Sequence, residues 1–177
     1  MNLMECWIPG LFEWESLSEW QNYDGELYAI FKRDWLDSSP KFMGLPVHVR
    51  YDPKWGDREE AYWHLTCRDY DKKGKGPESR DPDLDRCKRI EWPRAFVENY
   101  LSCGSCDDNE SESCSGVIVW KARSAKRRTR YKILHQTERY IVVLERRKTY
   151  YMLITAYYIT SDYSLKSALR EYKRCSK

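Results

Sequence analysis

No apolar run in this 177-residue chain approaches the ~18–20 residues that a membrane-spanning helix needs. The opening MNLMECWIPGLFEWE has acids where a signal peptide carries a basic segment, so a cytoplasmic location is expected and no membrane partner. Seven cysteines, an odd number, suit a reducing compartment better than a disulfide framework. There is no GxGxxG, no P-loop and no GxSxG, which removes the common nucleotide-binding and hydrolase motifs. Paired carboxylates on one helix face, as two-metal nucleases need, are not evident, and a metal-free, cofactor-free chemistry is the expectation. Histidine is scarce, at three residues. No internal repeat or linker divides the chain, so residues 1–177 are expected to form one domain.

Aromatic residues are plentiful instead, with eight Trp and fourteen Tyr. Most such rings fill cores and strand faces, and some can stack on bases of single-stranded RNA. The net charge of +3 hides an asymmetry. Residues 1–120 hold 15 Lys and Arg against 24 Asp and Glu, whereas residues 121–177 hold 16 against 4. A basic C-terminal half points to a polyanion, or to neutralisation by the acidic half across the fold.

That basic half reads as strands. Residues 116–121 (GVIVWK) open a four-stranded antiparallel meander, continued by Arg127–His135, Arg139–Glu145 and Tyr150–Thr160, with polar turns between. Alternation puts Arg128, Arg130 and Lys132 on one face and Tyr131, Ile133 and His135 on the other. On the last strand it groups Tyr151, Leu153, Thr155 and Tyr157. Cations, a Thr and aromatic hydroxyls on a sheet make a phosphate-handling platform.

Ahead of the sheet, residues 1–17 form a Trp-rich arm. Trp20, Tyr23, Leu27, Ile30, Phe31 and Trp35 make one helical stripe, capped by Ser16 or Ser18 and ended by Ser38-Ser39-Pro40. Leu45–Tyr51 and Ala61–Cys67 read as short strands, the second with Tyr62, His64 and Thr66 on one face. Tyr70–Ser79 is a Gly- and Lys-rich loop. Asp81-Pro82 opens a helix with Leu84, Cys87 and Ile90 inward, and Pro93–Leu101 a second. Residues 103–115 (CGSCDDNESESCS) are an acidic, Cys-rich flexible loop. A helix over Ser161–Cys175 closes the chain. The fold class is α+β: N-terminal helices packed on a four-stranded antiparallel sheet with a C-terminal helix.

Among the histidines, His48 lies between Val47 and Val49 and reads as structural or exposed, and His135 as a satisfied, half-buried ring. His64 is followed by Thr66 and Arg68, and an imidazole beside hydroxyl and guanidinium groups can shuttle a proton near neutrality. Cys103 and Cys106 form a CxxC with Cys114 beyond. A zinc there would need a fourth ligand such as Cys67, Cys87 or His64, and free thiols are the alternative.

Five segments, LYAIFKRDWLDSSPKFMGLPV, YWHLTC, RDPDLDRCKRIEWPRAFVENY, VIVWKARSAKRRTRYKI and YIVVLERRKTYYMLITAYYI, together resemble a family of phage- and mobile-element-borne proteins of the barnase–EndoU–colicin–RelE (BECR) superfamily of ribonucleases and toxins. The resemblance spans roughly residues 20–175, with the WHL and TAYYI segments its most specific parts. It implies metal-independent RNA cleavage by attack of a 2′-OH, and a toxin neutralised by an antitoxin or immunity protein. Carried onto this chain, it makes His64 the acid or base and Arg128 and Arg130 the phosphate clamps, with Thr155 and Tyr157 positioning the phosphate or donating a proton. Arg68, Arg80, Arg86 and Lys121 follow as substrate-binding candidates. The alternative is a non-catalytic module of the same fold that binds RNA, a ribosome or a host protein.

Overall fold

A computed structural model describes residues 6–14, 19–68, 81–103, 114 and 116–176. The apolar stripe of the first helix folds as expected. Helix α1 (Trp20–Phe31) buries Tyr23, Leu27 and Phe31, and its last turn widens into a π-helical segment (Lys32–Leu36) that buries Trp35. Ser38 then donates to the Arg33 carbonyl and ends the run. Glu19 occupies the N-cap position; Ser16 and Ser18 lie outside the described residues. The arm ahead of α1 packs on the helices through Phe12 stacked on Tyr23 and Trp7 edge-on to Phe96.

Strands β1 (Lys41–Phe42) and β2 (Leu45–His48) form a small hairpin, β2 ending short of the expected Tyr51. The next segment departs from expectation. Residues 61–67 are not a strand: Glu60–Thr66 form helix α2, and only Cys67–Arg68 (β3) are extended. Ala61 and Leu65, four apart, are both buried, and the Thr66 hydroxyl donates to the Tyr62 carbonyl one turn back. In so short a segment the helical period was masked by the β-branched and aromatic content. Asp81-Pro82 is likewise not a helix opening but strand β4, paired with β3. The cap is Asp83, whose Oδ1 accepts the Asp85 and Arg86 amides at the start of α3 (Leu84–Cys87). Cys87 and Ile90 point inward, while Leu84 is exposed. Helix α4 (Trp92–Asn99) has Pro93 in its first turn and buries Phe96 and Val97. The Tyr70–Ser79 loop, and residues 103–115 apart from Cys103 and Cys114, lie outside the described residues.

The meander is present as β5 (Val117–Arg123), β6 (Thr129–His135), β7 (Tyr140–Arg146) and β8 (Tyr151–Tyr158). β6 and β7 start later than the residue pattern suggests because Arg127 (φ 56°) and Arg139 (φ 52°) hold left-handed turn conformations. The expected four-stranded antiparallel sheet is the centre of a larger, mixed one. Its order is β1-β2-β8-β7-β6-β5, with β2 parallel to β8. The α+β class stands; the purely antiparallel description does not.

Helices α1 to α4 cover one face over the main core, which includes Leu27, Phe31, Tyr62, Ile133, Val142, Leu144 and Leu153. Helix α5 (Asp162–Cys175), capped by Ser161, lies on the other face over Trp120, Leu134, Ile141, Val143 and Ile159. One bulge decides which side chains meet there. Val143 pairs with Thr155 and Leu144 with Leu153, so Ile154 is an extra residue in β8. By register Tyr151 and Leu153 therefore face the helical layer, while Thr155 and Tyr157 fall on the opposite face, at the free edge of β8 that α2 and α3 also reach. The four do not share a face as strict alternation would have it.

Candidate functional site

Register places one row of side chains across the α5 face, beyond the part α5 packs on. Arg130 pairs with Glu145, Glu145 with Met152, and Met152 with His48 of β2. Directly paired residues point to the same face, and strands lie ~4.8 Å apart, so the His48 backbone is about 10 Å from that of Glu145. The row is open: the Arg128 and Arg130 side chains are 49% and 35% exposed.

Glu145 is its centre. The residue is 1% exposed, yet its carboxylate receives three guanidinium groups. Arg128 Nη1 and Arg147 Nη2 reach Oε1 at 3.2 and 2.8 Å, and Arg130 Nε reaches Oε2 at 3.2 Å. Burial pushes its pKa up, but the hydrogen bonds from Arg130 and Arg128 and the charge of Arg147 outweigh it and hold the group below its ordinary value. Three cations on one anion leave a fixed excess of positive charge, in a fork geometry that matches phosphate oxygens.

His48 stands at the other end of the row, half-buried, with Nδ1 3.4 Å from Ser39 Oγ and its ring 5.2 Å from Tyr150. It lines a cavity of about 350 Å³ with Arg50, Tyr51, Asp52, Tyr150 and Met152. Arg50 also borders a smaller cavity, about 140 Å³, lined by His64, Leu65, Ile154 and Thr155. There Glu60 links the two groups: its Oε1 lies 3.2 Å from both Arg50 Nη1 and His64 Nε2. The surface thus runs from His64 and Thr155, past Arg50, to His48 and on to the arginines around Glu145.

The structure brings His64 and Thr155 into one cavity, but Arg128 and Arg130 are not in it. Arg130 sits on β6, two strands in from β8, and Arg128 just ahead of it, both bound to Glu145. Tyr157 is not among the residues lining that cavity: it lines the groove beneath α5, its ring 5.7 Å from the Arg86 guanidinium. Arg86 and Arg68 both bind Asp83, and Arg86 Nη1 donates to the His64 carbonyl at 2.5 Å, so Arg86 braces α2 against α3 while Arg68 ties β3 to the α3 cap. Burial lowers the Arg86 pKa. Lys121 pairs with Tyr131 and so has the parity of the helical face, exposed on the edge strand β5. Arg80 lies outside the described residues.

Among the described residues no group of three or more potential metal ligands is clustered. Cys106 lies outside them. Cys114 Sγ is 3.5 Å from Nε2 of His135, whose Nδ1 accepts the Glu138 amide, so the proton of the neutral ring sits on Nε2 and faces the sulfur. Cys67 and Cys87 are buried beside Thr66, away from that pair.

Glu145, Arg147, His48, Arg50 and Glu60 were not singled out by residue reasoning. Glu145 carried a signal, as one of four acids among the sixteen cations of residues 121–177. His48 carried none, because its place depends on β2 joining β8 across about a hundred residues. Compared with known proteins, the chain matches no family model, no curated protein and no solved structure.

Proposed function

We propose that the chain is a metal-independent endoribonuclease acting through the row Arg130–Glu145–Met152–His48. The observation that carries this reading is the buried carboxylate of Glu145 under three guanidinium groups on an open sheet face, with an imidazole in the same row. Arg128, Arg130 and Arg147 take the non-bridging phosphate oxygens and stabilise the charge that grows on them. Glu145, kept ionised by those cations, accepts the proton of the 2′-OH. A carboxylate has about four acceptor positions, and the guanidinium contacts occupy three. The 2′-oxygen then displaces the 5′-oxygen, which takes its proton from His48, leaving a 2′,3′-cyclic phosphate. His64, oriented by Glu60, is the second candidate for that acid. Dependence on a 2′-OH makes RNA the substrate. The setting this reading implies is a cytoplasmic toxin of phage or mobile-element origin, held by an antitoxin or immunity protein and acting on free or ribosomal RNA.

A second reading rests on one observation: both oxygens of Glu145 are already engaged. A carboxylate so tied down serves equally as the anchor of an RNA- or ribosome-binding surface without chemistry. One experiment separates the two. Purified protein incubated with total RNA in EDTA yields fragments ending in cyclic phosphate, and Glu145→Gln lowers the yield at least about 100-fold. Intact RNA, bound in a salt-sensitive way, overturns catalysis and leaves the binding surface.

A further inference from the structure

Helix α5 buries none of its fourteen residues, although it packs Leu165, Ala168, Leu169 and Tyr172 toward the sheet. On its β7–β8 side it stands off, and a groove of about 640 Å³ opens, lined by Lys132, Tyr157, Tyr163, Arg170, Glu171 and Arg174 among others. Three of these are cations and one is an acid. Glu171 is already taken up by Lys132 Nζ at 2.5 Å and Trp120 Nε1 at 3.2 Å. Among the described residues, Arg170 and Arg174 have no carboxylate within ion-pair distance. Tyr163 is 75% exposed, with the Arg170 guanidinium 5.9 Å over its ring, and Tyr157 is backed by Arg86.

Flat rings beside uncompensated cations suit a chain of alternating bases and phosphates. The volume is that of a small-ligand site, enough for one or two nucleotides and far too small for a duplex. Its position also fits. Lys132 and Arg130 are two residues apart on the same face of β6, ~7 Å along the strand, so a strand leaving the groove meets the Glu145 row.

We propose that this groove holds one or two nucleotides of a single-stranded RNA flanking the cleaved linkage. The bases lie against Tyr163 and Tyr157, and the phosphates on Arg170 and Arg174. This names the substrate as single-stranded and rests on the ribonuclease reading for what happens next to the groove.

The test uses the full chain and a labelled single-stranded DNA oligonucleotide of mixed sequence, which lacks the 2′-OH and stays uncut whatever the chemistry. Binding is followed by fluorescence anisotropy across a salt series. The Arg170→Ala/Arg174→Ala double variant binds at least about tenfold more weakly and flattens the salt slope by about 1.4, two phosphate contacts' worth. Tyr163→Ala weakens binding about five- to tenfold at fixed salt. All three side chains are exposed, and an unchanged melting temperature certifies the fold. The proposal is overturned by wild-type affinity in the double variant, by equal affinity for a duplex of the same sequence, or by displacement with polyglutamate at matched charge, which marks a site for acidic peptide. Groove variants that lower affinity while RNA stays intact uphold the groove and remove only the chemistry. RNA that is cut with an unaltered KM in the groove variants does the reverse.

Discussion

Two buried ionisable side chains make the residue-scale account measurable. Glu145 is held ionised by three guanidinium groups that keep about a third to a half of their surface in water, so the pairing is worth less than in a closed core. Glu145→Gln is expected to cost about 2 kcal/mol in denaturant unfolding at neutral pH, the scale of a hydrogen bond to a charged group. Its folded pKa lies below the ordinary value of 4.5, so the contribution is whole above that pH. It is lost as the pH falls through the depressed folded value, and the wild type and Glu145→Gln should converge there. His135 runs to a different window. Burial lowers its pKa from 6.5, opposed by Glu138, and the Glu138 amide occupies Nδ1. The unfolded chain therefore binds the proton first, and stability falls as the pH drops below about 6.5. A His135→Gln variant should show a flatter profile between pH 7.5 and 5.5, read from unfolding midpoints, and an unchanged slope there would contradict it.

At the scale of elements, what was legible depended on how local its cause is. The meander and α5 could be read because period-two runs, polar turns and a Ser cap are all within a few residues of what they decide. α2 stands against the strand expectation because seven residues give barely two turns, and Tyr, Trp and Thr, as at Tyr62, Trp63 and Thr66, are also common in strands. The bulge at Ile154 has no local mark in LITAYY, yet it decides that Thr155 and Tyr157 leave the face of Leu153. The pairing of β2 with β8, and with it the place of His48, is a contact between distant segments that no pattern announces. The helical account of α2 has its own test: Leu65 is 3% exposed under the helix, so Leu65→Ala should cost about 3 kcal/mol by urea unfolding. The small cavity beside His64 should then lose its shape, and a cost under about 1 kcal/mol would argue against this packing.

Over the whole molecule, the charge asymmetry of the chain is an asymmetry of layers. The acidic first two thirds supply the helical face and the β1–β2 edge of the sheet, and the basic last third supplies β6 to β8 and α5, where Arg130, Arg170 and Arg174 stand, with Arg128 and Arg147 at the strand ends. No helix among the described residues is long and apolar enough to cross a membrane. The arginine pair that residue reasoning chose is on the open face, but its partner there is a carboxylate, and the imidazole in register with that carboxylate is His48 rather than His64. The proposed RNA association is accordingly expected to weaken steeply with salt, since the contacts assigned to it are cationic.

The measurement that bears most directly on this arrangement is the single-turnover rate at which one RNA oligonucleotide is cut in EDTA by wild type, His48→Ala and His64→Ala, each verified to be folded. The row across the sheet predicts a loss of at least about 100-fold for His48→Ala and less than about tenfold for His64→Ala. A wild-type rate in His48→Ala, or a collapse confined to His64→Ala, would move the chemistry out of that row.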